Sequence, residues 1–194
     1  MLEGEGFKNV SSMEGGIRAW EGGVAEGAPE AGTAYFTAAG KPEEFIALAW
    51  MLEEGSRRFY TAVQALVDDV ETKKLFQDLT TAEEHHKASL LSLYRTFTGK
   101  EPEQGFPGPI VPAEATGDVM EGGMRVSEAL KWLKGKNSEA IFELAMALET
   151  NSYDLYIKMR RQMKDEMSQQ VFDQLSKEEK KHLELLAELF ERKI

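Results

Sequence analysis

The chain has 194 residues, 42% of them hydrophobic and 29% charged, a balance that fits one well-buried globular domain with a short appendage. Its 34 acidic and 23 basic side chains leave a net charge of -11, which repels nucleic-acid phosphates and anionic lipid headgroups and excludes a nucleic-acid role. There is no cysteine, so disulfides, thiolate zinc sites, iron–sulfur clusters and thiol catalysis are excluded, and any metal must be held by oxygen and nitrogen.

Residues 1–40 contain nine of the seventeen glycines and little helical periodicity. The opening "MLEGEGFKNV" has neither the basic start nor the apolar core of a signal peptide, and no window approaches the roughly 20 apolar residues of a membrane span. The expected location is the cytoplasm. From Lys41 the composition changes: residues 41–98 and 138–194 are charged, glycine-poor and periodic, which places a domain boundary near Gly40. Lys41-Pro42-Glu43-Glu44 reads as a helix start, with proline in the first turn and acids at the positive end of the dipole, and predicts a helix over 42–67. Asp68 or Asp69 then caps a second helix that runs to about Thr98, where Gly99 and Pro102 end it. Residues 99–137 carry four of the six prolines and read as a long crossover, with a short helix in "SEALKWLK". A third long helix is predicted from Ser138 to about Met163 and a fourth from about Ser168 almost to the end.

A self-comparison sets the architecture. Shifted by 96 residues without a gap, "LEEGSRRFY" (52–60) falls on "LETNSYDLY" (148–156), and "FQDLTTAEEHHKASLLSL" (76–93) on "FDQLSKEEKKHLELLAEL" (172–189). Two copies of one helix hairpin joined by a crossover give an all-α, ferritin-like four-helix bundle over 41–194. Each copy supplies one Glu in its first helix and Glu-x-x-His in its second: Glu53 with Glu83 and His86, then Glu149 with Glu179 and His182. Three residues make nearly one turn, so each Glu and its His share a face, and that face is the Leu/Phe stripe that must be buried. Four buried carboxylates repel one another and lose hydration. No Lys or Arg shares the stripe near them, whereas two divalent cations would cancel four charges, with imidazoles as further ligands. One Glu-x-x-His on a charged helix is commonly a solvated face; two copies at equal spacing, each on an apolar stripe, point to metal.

Tyr60 and Tyr156 lie seven residues after Glu53 and Glu149 on the same face, where their hydroxyls either hydrogen-bond the carboxylates or pack in the core. His85, about 100 degrees around the helix from His86 and matched by Lys181 in the second copy, reads as surface. Glu121, in the crossover stretch "VMEGGM", reads as a solvent-exposed loop acid, the alternative being a seventh ligand. A second "MEGG" at 13–16 does not follow the 96-residue offset and reads as coincidence.

Residues 41–194 resemble the di-iron domain of the rubrerythrin and ferritin-like superfamily, whose order of one Glu, Glu-x-x-His, one Glu, Glu-x-x-His matches Glu53, Glu83, His86, Glu149, Glu179 and His182. The resemblance implies two iron ions, with the four glutamates as ligands or bridges and one histidine on each iron, reacting with hydrogen peroxide or dioxygen. The donor set also accepts manganese or zinc. It further implies a rubrerythrin-type peroxidase active in oxidative stress defence, or a ferroxidase. Helical hairpins joined by a long crossover can exchange between chains, and a homo-oligomer is expected, as a dimer. The sequence departs from the family pattern at Ser152, where typical rubrerythrins carry a further Glu, and in lacking their four-cysteine rubredoxin domain, so electrons would come from a separate rubredoxin-like donor.

The stretch "GEGFKNVSSMEGGIRAWEGG" (4–23) resembles the C-terminal end of a rhodanese domain, in which "GFKNV" is a strand and "IRAW" begins a final helix. The resemblance implies that the cysteine loop of such a domain lies upstream of Met1. It also raises a metal-binding module that serves a sulfurtransferase as another reading of the whole chain.

Overall fold

A computed structural model describes residues 41–108, 110–111 and 118–193. The rhodanese-like stretch and the linker within 1–40 lie outside the described residues. The described chain forms five α-helices: α1 (Pro42–Val63), α2 (Val70–Thr98), α3 (Val126–Leu133), α4 (Ser138–Gln162) and α5 (Glu166–Lys193), with a 3-10 turn at Glu121–Gly123 before α3. α1 packs chiefly on α2 and α4 on α5, giving the two hairpins of an all-α, ferritin-like bundle. No described helix is long and apolar enough to cross a membrane.

Local signals account for the helix ends. Asp69, rather than Asp68, caps α2: its carboxylate accepts from the Thr72 N–H at 2.9 Å and the Thr72 hydroxyl at 2.7 Å. Gly99 closes α2 in the left-handed region at φ 65°, and its N–H donates to the Arg95 carbonyl. Asn137 caps α4 through Ala140. Asp165 accepts from the Ser168 N–H at 2.7 Å, which is why α5 begins two residues before the serine expected to start it. α1 ends at Val63, short of the expected 67, because the Ala65 and Leu66 N–H groups donate to Ala62 and Val63 carbonyls and tighten the last turn. Gln64 then turns its side chain across to the Thr80 hydroxyl on α2.

The core falls into two parts. One gathers Ile46, Leu52, Leu90, Leu155, Phe172 and Leu175; the other gathers Phe59, Phe76, Phe142, Leu148, Leu186 and Leu189. On each long helix a glutamate stands where one part gives way to the other: Glu53 between Leu52 and Phe59, Glu83 between Leu79 and Leu90, Glu149 between Leu148 and Leu155, Glu179 between Leu175 and Leu186. Apolar packing above and below therefore fixes a polar layer across the middle of the bundle.

The crossover returns over the bundle as a short clamped loop. The Val119–Arg125 bridge, Val126 N–H to Asp118 carbonyl at 2.8 Å and Met120 N–H to Met124 carbonyl at 3.0 Å hold its base. It crosses α1 at Gly55, where a Cβ would stand 2.2 Å from the Val119 carbonyl oxygen and 2.8 Å from Met120 Cα. Only glycine admits that approach.

Gly55→Ala should therefore destabilise the fold by about 1–3 kcal/mol in chemical denaturation. An unobstructed helix interior would gain up to about 1 kcal/mol from the same change. A stability equal to or above wild type would show that the loop does not rest on α1. For Asp69, hydrogen bonds from Thr72 and the Lys193 ammonium lower the carboxyl from 3.8 to about 2. Its contribution is thus complete above pH 3.8 and is lost as pH falls towards 2. Asp69→Ala should flatten the acid limb of melting temperature against pH over that window and leave its slope near neutrality unchanged.

Candidate metal centre

The mid-bundle layer brings together all six residues singled out by the repeat. Glu53, Glu83, His86, Glu149 and Glu179 are at most 2% exposed, and the His182 side chain is 12% exposed. Each helix contributes through its apolar stripe: Glu53 from α1, Glu83 and His86 from α2, Glu149 from α4, Glu179 and His182 from α5. His86 Nδ1 lies 3.0 Å from Glu179 Oε1, 3.2 Å from Glu53 Oε2 and 3.3 Å from Glu83 Oε2. His182 Nδ1 lies 3.3 Å from Glu149 Oε2 and 3.4 Å from Glu179 Oε2. The two imidazoles stack with centroids 5.5 Å apart. One potential ligand atom from each of Glu53, Glu83, His86 and Glu179 falls within 4.8 Å of the others, and the same holds for His86, Glu179 and His182. Glu179 and His86 belong to both groups. Glu149 belongs to neither; its Oε1 accepts a 2.6 Å hydrogen bond from the Tyr60 hydroxyl on α1.

The electrostatics of the cluster are those of a charged site without enough counter-charge. Burial pushes Glu53 and Glu149 well above the usual carboxylate range, with Glu83 and Glu179 respectively adding repulsion. Burial also opposes charge on the imidazoles and on Glu179, but their mutual attraction overrides it. Glu149 and Glu179 hold His182 up at about 11, Glu179 and Glu53 raise His86, and both imidazoliums lower Glu179. Even so, Glu53 Oε1, Glu83 Oε2, Glu149 Oε2 and both Glu179 oxygens are buried without aligned hydrogen-bond donors. Native interiors leave few such atoms, each at a cost of order 1–3 kcal/mol or more. Five in one layer, converging from four helices, match the open coordination positions of a cation site. The oxygen and imidazole set suits iron, manganese or zinc.

Tyr60 and Tyr156 differ despite equivalent places in the repeat. Tyr60 donates to Glu149, and burial with the nearby Glu149 charge raises its own pKa. The Tyr156 hydroxyl is buried without a partner, packed by its ring against Phe172. His85 is exposed, as its position around α2 requires.

Three features differ from the sequence-based expectation or add to it. Glu121 is not a solvent-exposed loop acid: it is 1% exposed, because the clamped crossover folds the Glu121–Gly123 turn onto the bundle instead of leaving it in water. Glu178 places Oε2 3.0 Å from His86 Nε2, and this hydrogen bond lowers Glu178 to about 2. Its counterpart in the first copy is Ala82, so the aligned sequences already contained the difference. Lys87 is a buried cation one residue past His86, but it pairs with Glu54 and Glu84 rather than the central carboxylates.

His182 also lines a groove of about 340 Å³ with Glu71, Lys74, Asp78, Leu185, Glu188 and Arg192. His86 is fully buried. The two halves of the cluster are thus similar in residue types and differ in the exposure of their histidines.

The family model described as Rubrerythrin matches residues 44–190, a span that contains all six clustered residues, α2, α3 and α4 entire, and all but the outer ends of α1 and α5. No curated protein and no solved structure matches the chain. With that match over most of its length and a buried carboxylate and histidine layer inside it, the chain belongs to the rubrerythrin family.

Proposed function

We propose that the chain is a non-haem di-iron oxidoreductase that reduces hydrogen peroxide with electrons from a separate, rubredoxin-like donor. The observation that carries this reading is the convergence of four buried glutamates and two imidazoles whose inward oxygens have no aligned donors. In it Glu53, Glu83, Glu149 and Glu179 are the carboxylate ligands, with His86 and His182 one on each ion. Paired iron would supply two one-electron changes at adjacent positions, matching the two-electron reduction of a peroxide.

The protein's own groups orient and shield this centre. With a cation in the layer, the hydrogen bond between His86 Nε2 and Glu178 would hold the proton on Nε2 and leave Nδ1, on the side of Glu53, Glu83 and Glu179, free to ligate. Tyr60 fixes Glu149 through the 2.6 Å hydrogen bond and keeps its Oε2 towards His182. The two core clusters exclude water above and below. Small molecules then reach the layer from the groove beside His182. At its mouth Lys74 pairs with Asp78 at 2.6 Å and Arg192 with Glu71 at 2.8 Å. Three acids against two bases make a nearly balanced opening, which suits a neutral oxidant better than a cation drawn by an acidic funnel. This favours peroxide reduction over iron oxidation as the principal activity. Two chains paired as a homodimer and a bundle domain at 41–194 belong to the same proposal, while a metal-binding module that serves a sulfurtransferase is the competing one.

The deciding experiment loads the full chain anaerobically with Fe(II), confirms about two irons per chain by plasma mass spectrometry, and mixes it with hydrogen peroxide or dioxygen in a stopped-flow spectrometer. Oxidation at least about ten-fold faster with peroxide, a barrier difference of about 1.4 kcal/mol, is expected. Equal or faster reaction with dioxygen would move the assignment to ferroxidase. Less than half an iron per chain, unaltered in Glu83→Ala and His182→Ala, would end the metal reading altogether. Glu178→Ala should leave the helix content intact and weaken metal binding by about 10- to 100-fold, since His86 loses the group that orients it. Unchanged affinity would reduce Glu178 to a surface charge.

A further inference from the structure

The crossover brings a fifth carboxylate to the layer. Glu121 is 1% exposed, and neither of its oxygens meets a donor from another residue. It lies within electrostatic range of Glu83, Glu149 and Glu179 and of the Tyr60 hydroxyl. The charged neighbours identified by those interactions are acids, and among the described residues no donor reaches either Glu121 oxygen. A buried carboxylate with no partner is among the costliest arrangements a fold can hold.

The loop that carries it is built for close approach. Gly122 and Gly123 follow with φ 77° and 76°, a pair of left-handed residues that tightens the turn. A Cβ on Gly122 would stand 2.4 Å from Asn151 Nδ2 on α4, while on the other side Gly55 of α1 meets Val119. Gly55 and Asn151 are equivalent under the 96-residue repeat, each two residues beyond its ligand-layer glutamate. The turn is therefore seated between the two helices that present Glu53 and Glu149. On α4, Ser152 donates back to the Leu148 carbonyl and brings no charge of its own.

We propose that Glu121 is a fifth carboxylate ligand of the metal centre, delivered by the Glu121–Gly123 turn from outside the four long helices; this rests on the metal-binding reading above. Two divalent ions balance four carboxylates and leave the fifth charge over, whereas two trivalent ions exceed five by one. Glu121 thus favours the oxidised pair. A ligand carried by a loop also differs from one on a helix, because its position depends on the seating of the turn.

The test uses the full chain, titrated anaerobically with Co(II) against a competing chelator. Glu121→Gln keeps the shape and removes the charge. The expected result is two Co(II) bound by wild type, with one held at least about 10-fold more weakly in Glu121→Gln and with stronger visible absorption as coordination number falls. The exposed crossover change Glu103→Gln should match wild type, and the iron-loaded Glu121→Gln should be reduced at a more positive potential. Should Glu121→Gln fail to fold, Gly122→Ala decides by the same readouts, since it keeps the carboxylate and displaces the turn. Wild-type affinity, absorption and potential in a folded variant would overturn the fifth ligand while leaving the centre in place. So would lower melting of the metal-free variant without altered Co(II) binding, which is the mark of a structural role. Wild type that binds no Co(II) would remove the underlying reading, and the proposal with it.

Discussion

Negative charge confined to one buried layer is the constraint around which this bundle is arranged. Four glutamates enter it from four helices, and two imidazoles answer only part of their charge. An apolar layer of the same volume would fold at lower cost, since desolvated ions recover their hydration only through well-placed partners. The sequence retains the acids twice, at the same spacing, with leucine and phenylalanine on either side. The two core clusters then have a second role. They stabilise the fold through apolar burial, and they hold the carboxylates at a fixed separation that mutual repulsion would otherwise widen.

Much of this was legible because it is periodic. A 3.6-residue stripe, a 96-residue offset and a three-residue Glu-to-His spacing are properties of sequence position, and helices convert position directly into direction. The four long helices, the all-α class and the convergence of Glu53, Glu83, His86, Glu149, Glu179 and His182 follow from those three regularities. Asp69 was legible by its residue type, and only the choice between it and Asp68 required geometry.

What escaped the sequence lies where periodicity stops. Glu121 sits in a stretch that composition assigns to a solvated loop, and its burial depends on a glycine 66 positions earlier that lets the backbone of the loop touch α1. No local pattern couples Gly55 to Val119. Glu178 was visible as one more acid on a charged helix, and its distinction lay in the residue facing it across the repeat, Ala82. Coincident positions of the repeat mark the shared layer, and the differing ones mark what sets its halves apart. Helix ends slipped for a related reason: the last turn of α1 tightens to meet Thr80 on α2, a tertiary contact that capping residues do not encode.

Those differences turn a duplicated half-site into an asymmetric whole. On one side His86 is enclosed, oriented by Glu178 and surrounded by three carboxylates. On the other, His182 has no counterpart of Glu178, lines an open groove, and faces a glutamate tied down by Tyr60. Under the proposed metal reading, a centre that holds ions and admits a small reactant would face opposing demands, because enclosure strengthens ligand electrostatics while access requires an opening. Duplication alone would give both half-sites the same compromise. The difference between the halves, with His86 buried and held by Glu178 and His182 lining a groove, needs only a few unmatched side chains on an otherwise repeated scaffold, and Glu178 opposite Ala82 is the clearest of these.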